Sequence, residues 1–274
     1  MNLQKKYSIG RISYMIKQKK WKYLFFGSKV TIETGGILSI GKNVKIKNSN
    51  IYIKKGDHLI IGDNVLIKNC KISTIIGSKS KILIGHDCNL DTFNIGITGG
   101  LIEIGHHNFM QGGIQANIPY FEIKGDLMIG NYNRIRCDIW TRFNSKVRIG
   151  SHNAINEGTE IRSDDSIIIG DYNQISYNCI IWDTNTHNLY KAEKRRTITD
   201  NQFPDFGLEY EKPKTQPIII GNDCWLGRDV SILKGTKIKD KCVLGYGALL
   251  SNVTIEENKT VINQPSLKIV DNKL

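Results

Sequence analysis

The sequence predicts an all-β protein coiled as a parallel β-helix, a three-sided prism whose wall turns a corner every six residues. Three observations carry this. Large aliphatic residues stand six apart without a break at Ile220, Leu226, Ile232, Ile238, Leu244 and Leu250. A helix repeats every 3.6 residues and a half-buried strand every 2, so neither produces a period of six. Second, the residue after the aliphatic one is Gly at 221, 227 and 245, as corners with unusual backbone angles would favour. The fifth position, which also faces inward, holds Cys224, Val230, Cys242 and Ala248. Third, an Ile-Gly pair recurs from Ile40 through Ile61, Ile84, Ile104, Ile129, Ile149 and Ile169 to Ile220, each followed six positions on by another large apolar residue. A sandwich would show period-2 alternation and hairpin turns instead. Short repeats of this kind build solenoids.

Residues 1–29 do not repeat. They carry Lys5, Lys6, Arg11, Lys17, Lys19, Lys20, Lys22 and Lys29 with no acid, interleaved with Trp21, Tyr23, Phe25 and Phe26. A basic, aromatic helix here would plug the open first coil, since solenoids need capped ends, or lie on an anionic membrane surface. The two roles are compatible. Residues 30–255 are assigned to the β-helix, with steps of 20 to 25 residues between Ile-Gly pairs up to Ile169, the length of three hexads plus a short corner insertion. Asn108, Asn133, Asn153 and Asn173 occupy the fifth position in consecutive coils and are expected to stack as an internal ladder, hydrogen-bonded from coil to coil. The register breaks once. Between Gly170 and Gly221 lie 51 positions, and the excess falls between Ile181 and Pro217. The extruded loop 183–216 is of a length that is functional or disordered in a compact domain, and it opens with a histidine, His187. After Leu250 the repeat decays, and 256–274 reads as a C-terminal tail.

At 274 residues the chain fits one continuous prism. A net charge of +12 suggests an anionic partner: nucleic acid, an acidic membrane face or a phosphorylated ligand. The six cysteines show no metal-ligand or C-x-x-C spacing, and Cys88, Cys179, Cys224 and Cys242 fall on the small inward position. They read as reduced core residues. No apolar run approaches the ~18 residues of a spanning helix, and nothing resembles a signal peptide. The expectation is a cytoplasmic chain, with residues 1–29 allowing peripheral contact with the inner face of the plasma membrane.

The block from Ile220 to Leu250, preceded by DTNTHNLY at 183–190 and KPKTQPIII at 212–220, resembles the left-handed β-helix (hexapeptide-repeat) acyltransferases. The similarity is to the maltose/galactoside O-acetyltransferase-like, surface-polysaccharide O-acetyltransferase branch, over roughly residues 40–270. It implies a left-handed coil, a homotrimer, acetyl-CoA as co-substrate in grooves between neighbouring prisms, and no metal. His187 matches the catalytic base. A hydroxyl is a weak nucleophile until a base takes its proton, and an imidazole is suited to do so near neutral pH. Asp183 is expected on the acceptor side, where it would orient that ring, with a solvated loop carboxylate as the alternative. Asn156 matches an acceptor-contacting Asn of the branch, with a structural corner Asn as the alternative. Trp225 should face outward and line the pantetheine path or a trimer contact. Gly227, Gly245 and Gly247 would allow close approach of that arm. Arg228, Lys234, Lys237, Lys239 and Lys241 offer charge for the CoA phosphates, and Ser251 completes the expected cofactor set.

Two departures from the pattern bear on cofactor detail. Tyr246 stands where a small residue is usual, and Asn263-Gln264-Pro265-Ser266 replaces the usual Gly-Asn-Pro-Ala. His86, His106, His107 and His152 fall at corner tips, where polar residues face water, and are not patterned for the three-histidine zinc site of a γ-carbonic anhydrase. The leading function is O-acetylation of a sugar hydroxyl of a bacterial surface glycan such as capsule or O-antigen. N-acetylation of a nucleotide-linked amino sugar is the second enzyme reading. A structural or nucleic-acid-binding β-prism is the non-enzyme reading, favoured only by charge.

Overall fold

The computed structural model describes residues 27–75, 79–111, 120–123, 125–204 and 211–264. Thirty short strands make ten turns, and each turn gives one strand to each of three ten-stranded parallel sheets. The opening turn sets the pattern. β1 (Lys29–Ile32) lies on the first face, β2 (Ile37–Ile40) on the second and β3 (Lys45–Lys47) on the third; β4 (Asn50–Ile53) then returns to pair with β1. The expected parallel β-helix is what the chain forms. Strand Thr260–Val261 carries the coil past the boundary placed at residue 255. Residues 1–26 of the expected cap and 265–274 of the expected tail lie outside the described residues.

Pairing is parallel and in register, so each inward side chain sits on its counterpart one coil away. Ile46, Ile67, Leu90, Met110, Ile135, Ile155, Ile175 and Leu226 form one such buried stack. Burying each contributes about 1.5–3 kcal/mol relative to exposure. All six cysteines are buried and unpaired with one another. Burial raises the Cys70 and Cys224 thiols to about 11, as suits core residues.

The asparagine ladder forms, with a refinement. Each side-chain oxygen accepts from the backbone N–H of the next rung, Asn108 from Asn133 at 2.9 Å, then 2.8 Å for each of the next two steps. Each amide nitrogen donates to a corner carbonyl, as Asn133 does to Gly150 at 2.9 Å. The ladder therefore satisfies backbone groups at each corner, where strand pairing is interrupted.

The glycines serve a different purpose from the one expected. Gly150 lacks a positive φ; the left-handed backbone falls two residues later, at His152 and its counterparts Tyr132 and Tyr172. A Cβ on Gly150 would lie 2.7 Å from the Gly170 carbonyl oxygen. Stacking distance, not backbone angle, excludes a side chain there.

Candidate active site

The prism has three edges. Where the third face returns to the first, the closing edge, lie Asn156, Gly227, Arg228 and Gly245 to Gly247. Where the second face meets the third lie the histidine tips. Where the first face meets the second, in the eighth turn, the chain leaves the wall after strand Ile180–Trp182 and rejoins it at strand Ile218–Ile220. This loop edge carries His187.

Asp183 is the hinge, and it is not a solvated carboxylate. It lies two residues beyond inward Ile181, so strand alternation turns it inward and buries it completely. Its oxygens accept from the Ser163 hydroxyl at 2.6 Å and from the backbone N–H groups of Asp164 at 2.8 Å and Asp165 at 3.0 Å. Burial raises its pKa, and the Ser163 bond and the two N–H groups only partly offset this. Its carbonyl accepts from Gln216, and Thr184 bridges Thr215, so the two ends of the loop are closed together.

A second anchor holds the histidine segment itself, and sequence reasoning missed it. Arg142 follows the first-face strand Asp138–Thr141, and Asp164 takes the equivalent place one coil later. The guanidinium donates to both oxygens of fully buried Asp164, at 2.8 and 2.7 Å, and Thr184 donates to the same carboxylate at 2.6 Å. Arg142 then donates to the carbonyl of Thr186 at 3.1 Å, directly before His187. Thr186 has φ +63°, and the His187 N–H donates to the Asn185 carbonyl at 2.7 Å, which folds a tight turn. Lys234 donates to Asn185 at 2.6 Å. His187 is exposed on this pinned turn. Beyond it the loop forms α1 (Ala192–Asn201), none of whose residues is buried. Coil-equivalent positions 142 and 164 were the available signal, since residues one turn apart at an edge are neighbours.

The other expected site residues sit elsewhere. Asn156 is a bonded corner residue: its oxygen accepts from Arg136 at 2.8 Å and Arg134 at 3.1 Å, and its amide donates to the Ile175 carbonyl at 3.1 Å. Trp225 faces outward, 57% exposed, and Tyr246 is 68% exposed on the next turn. Arg228 is exposed close to Asp229, and a hydrogen bond with Asp229 raises the Tyr246 pKa. The coil itself explains Gly227, where a Cβ would meet the Leu244 carbonyl at 2.9 Å, and Gly247, which has φ +64°. Gly245 is held by the Val261 carbonyl, and Ser251 is exposed at the end of the first face. Lys239 pairs with Glu256 and Lys241 with Glu257, so with Lys234 on the loop they are committed within the chain; Lys237 is exposed on the second face. Within one chain, then, His187 stands on the loop edge, while Asn156, Trp225, Gly227 and Tyr246 line the third face and closing edge.

The corner histidines do more than face water. His86 and His106 accept backbone N–H bonds from the preceding coil and stack on each other at 5.0 Å. His107, Tyr132, His152 and Tyr172 continue as a ring column, with centroids 4.6 to 5.0 Å apart. No group of metal-binding side chains occurs among the described residues.

No protein-family model matches the chain. A probable acetyltransferase of Mycobacterium tuberculosis is 28% identical over 184 residues, 65% of this chain and 52% of that protein. A polysialic acid O-acetyltransferase of Neisseria meningitidis is 25% identical over 162 residues, 59% of each. The chain thus spans between half and three-fifths of the length of these relatives. Among solved structures, the polysialic acid O-acetyltransferase OatWY aligns over 89% of this chain and 92% of its own, with a TM-score of 0.41 and 18% identity. The polysialic acid-specific acetyltransferase NeuO aligns over 88% and 80%, with a TM-score of 0.35 and 19% identity.

Proposed function

We propose that the chain transfers an acetyl group from acetyl-CoA to a sugar hydroxyl of a bacterial surface glycan, with His187 as general base. One observation carries the reading: an exposed imidazole on a turn locked by Arg142, Asp164 and Asp183 at the only long break among the described turns. A base must be fixed to be effective, and a locked turn on a rigid wall fixes it. That the sequence relatives are acetyltransferases, one of them acting on polysialic acid, supports the acceptor class.

The two separated edges support a threefold assembly. A homotrimer would set the loop edge of one prism against the closing edge of its neighbour, so His187 would face the neighbour's Trp225 and Tyr246 across a groove. Those two exposed rings suit a thin apolar pantetheine arm. His187 takes the acceptor hydroxyl proton as the oxygen attacks the thioester carbon, backbone N–H groups hold the oxyanion, and the C–S bond breaks. The imidazolium then returns its proton to the departing thiolate. We place this reaction in the cytoplasm, with residues 1–29 available for contact with an anionic membrane.

Free-thiol release from acetyl-CoA across a panel of acidic and neutral oligosaccharides tests the reading. His187→Ala is expected to lose about 10²–10⁴-fold in acceptor-dependent turnover, the usual worth of a positioned base. Unchanged turnover would remove His187 from the chemistry. An alkali-stable product would move the assignment to N-acetylation.

A further inference from the structure

The outer surface of the first face beside the His187 loop carries a column of unusual composition. Trp140, Arg162 and Trp182 are in-register neighbours on consecutive strands, all half-buried. Strand spacing separates successive members by about 4.8 Å, so the column extends about 10 Å along the prism. The Arg162 guanidinium lies 5.9 Å from the centre of the Trp182 ring. Its Nε is buried and has no hydrogen-bond partner among the described residues. In the adjacent column stand Asp138 and Glu160, and a buried oxygen of Asp138 likewise lacks a partner.

The buried Nε is out of a ligand's reach, so a carboxylate would meet this half-buried guanidinium through its terminal nitrogens. Burial, then the nearby Arg142 charge, depresses the Arg162 pKa, and Glu160 and Asp164 offset this only in part. Arg142 is already committed to Asp164, whereas Arg162 is not. Burial raises the pKa of Asp138 and Glu160, and their carboxyl oxygens are suited to accept from sugar hydroxyls. The column also adjoins the catalytic turn. Arg142, two residues beyond Trp140, holds the carbonyl that precedes His187.

We infer that the Trp140–Arg162–Trp182 column is the acceptor subsite and takes a carboxylate-bearing glycan, the carboxylate on Arg162 and the sugar rings against the two indoles. This deepens the assignment of His187 as the base of acetyl transfer and rests on it for the position of the reacting hydroxyl. The observations favour a glycan over a nucleic acid because carboxyl oxygens that accept from hydroxyls flank the guanidinium, and a sugar ring offers several hydroxyls beside its carboxylate.

Direct binding separates this inference from the activity assignment. The full-length protein is titrated with an oligomer of sialic acid, with the same oligomer after reduction of its carboxyl groups, with a neutral maltooligosaccharide of equal length, and with single-stranded oligothymidylate. The acidic oligomer should bind at least tenfold more tightly than the reduced or neutral ones, and oligothymidylate should not compete. Arg162→Ala should weaken binding about 10- to 100-fold, the worth of a charge-assisted bond, and Arg162→Lys should recover part of it. Thermal unfolding of each variant confirms an intact coil. In turnover, the same variants should raise the acceptor KM and leave that for acetyl-CoA in place. Equal binding of acidic and reduced oligomers, wild-type binding by folded Arg162→Ala, or effective competition by oligothymidylate would overturn the subsite. Absence of thiol release with every acceptor, alongside Arg162-dependent binding, would instead overturn the activity assignment alone.

Discussion

Replacing Asp164 by Ala should release the turn that carries His187 without unwinding the prism. Asp164 accepts two bonds from Arg142 and one from Thr184, and it is wholly buried. Removing one partner of a buried ion pair costs about 3–5 kcal/mol, because the other charge is left uncompensated. The Arg142 side chain keeps 23% exposure, which lets water recover part of that cost, so the lower end of about 3 kcal/mol applies. At roughly 1.4 kcal/mol per factor of ten, the open population of the loop base should rise about 150-fold. Hydrogen exchange with mass spectrometry reads this at the amides of Asn185 and Gln216, which donate to the Lys214 and Asp183 carbonyls. Both should exchange faster by about that factor, while core amides such as that of Gln174 keep their protection. Acetyl transfer should fall alongside. Unchanged exchange at both sites in a folded variant would show that the carboxylate does not hold the loop.

Two further outcomes are expected. Asn153→Ala should lower the unfolding free energy by about 2–4 kcal/mol, because it strands the buried Asn173 N–H and the Gly170 carbonyl. Asn153→Cys should cost less, since Cys88 already donates to the Gly105 carbonyl at 3.1 Å from the equivalent position; equal urea midpoints for wild type and Asn153→Ala would refute the ladder's role. Asp138→Asn should stabilise the protein at pH 7. Burial raises the folded-state pKa of Asp138, so the folded chain binds this proton more tightly than the unfolded chain. The carboxyl's contribution therefore improves as pH falls through the folded value toward the unfolded one near ~4, and the advantage of the Asn variant should shrink over that range. A gap between variant and wild type that widens on acidification would contradict this sign.

The sequence by itself determined the prism. A six-residue period specifies inward positions, and in-register parallel stacking makes each coil a template for the next, so Ile46 through Leu226 were placed without coordinates. The asparagine ladder and the single wall break were legible for the same reason, and outward Trp225 followed from inward Leu226. Even the burial of Asp183 was implicit in its spacing from Ile181, although its place in a polar loop suggested water instead.

Tertiary structure alone decided what the edges do. A repeat fixes which way a residue points but not which neighbour it meets at a corner, because corner insertions vary in length and side-chain reach exceeds one strand spacing. Arg142 finds Asp164 twenty-two positions on and then a carbonyl forty-four positions on, contacts that no local pattern encodes. The same holds for Lys234, which offered charge for a phosphate but bonds to Asn185 in the loop. The separation of His187 from Trp225 onto different parts of the prism is likewise a property of the wound chain. It arises because a loop inserted after the first face and a tryptophan on the third are held apart by the rigid wall between them.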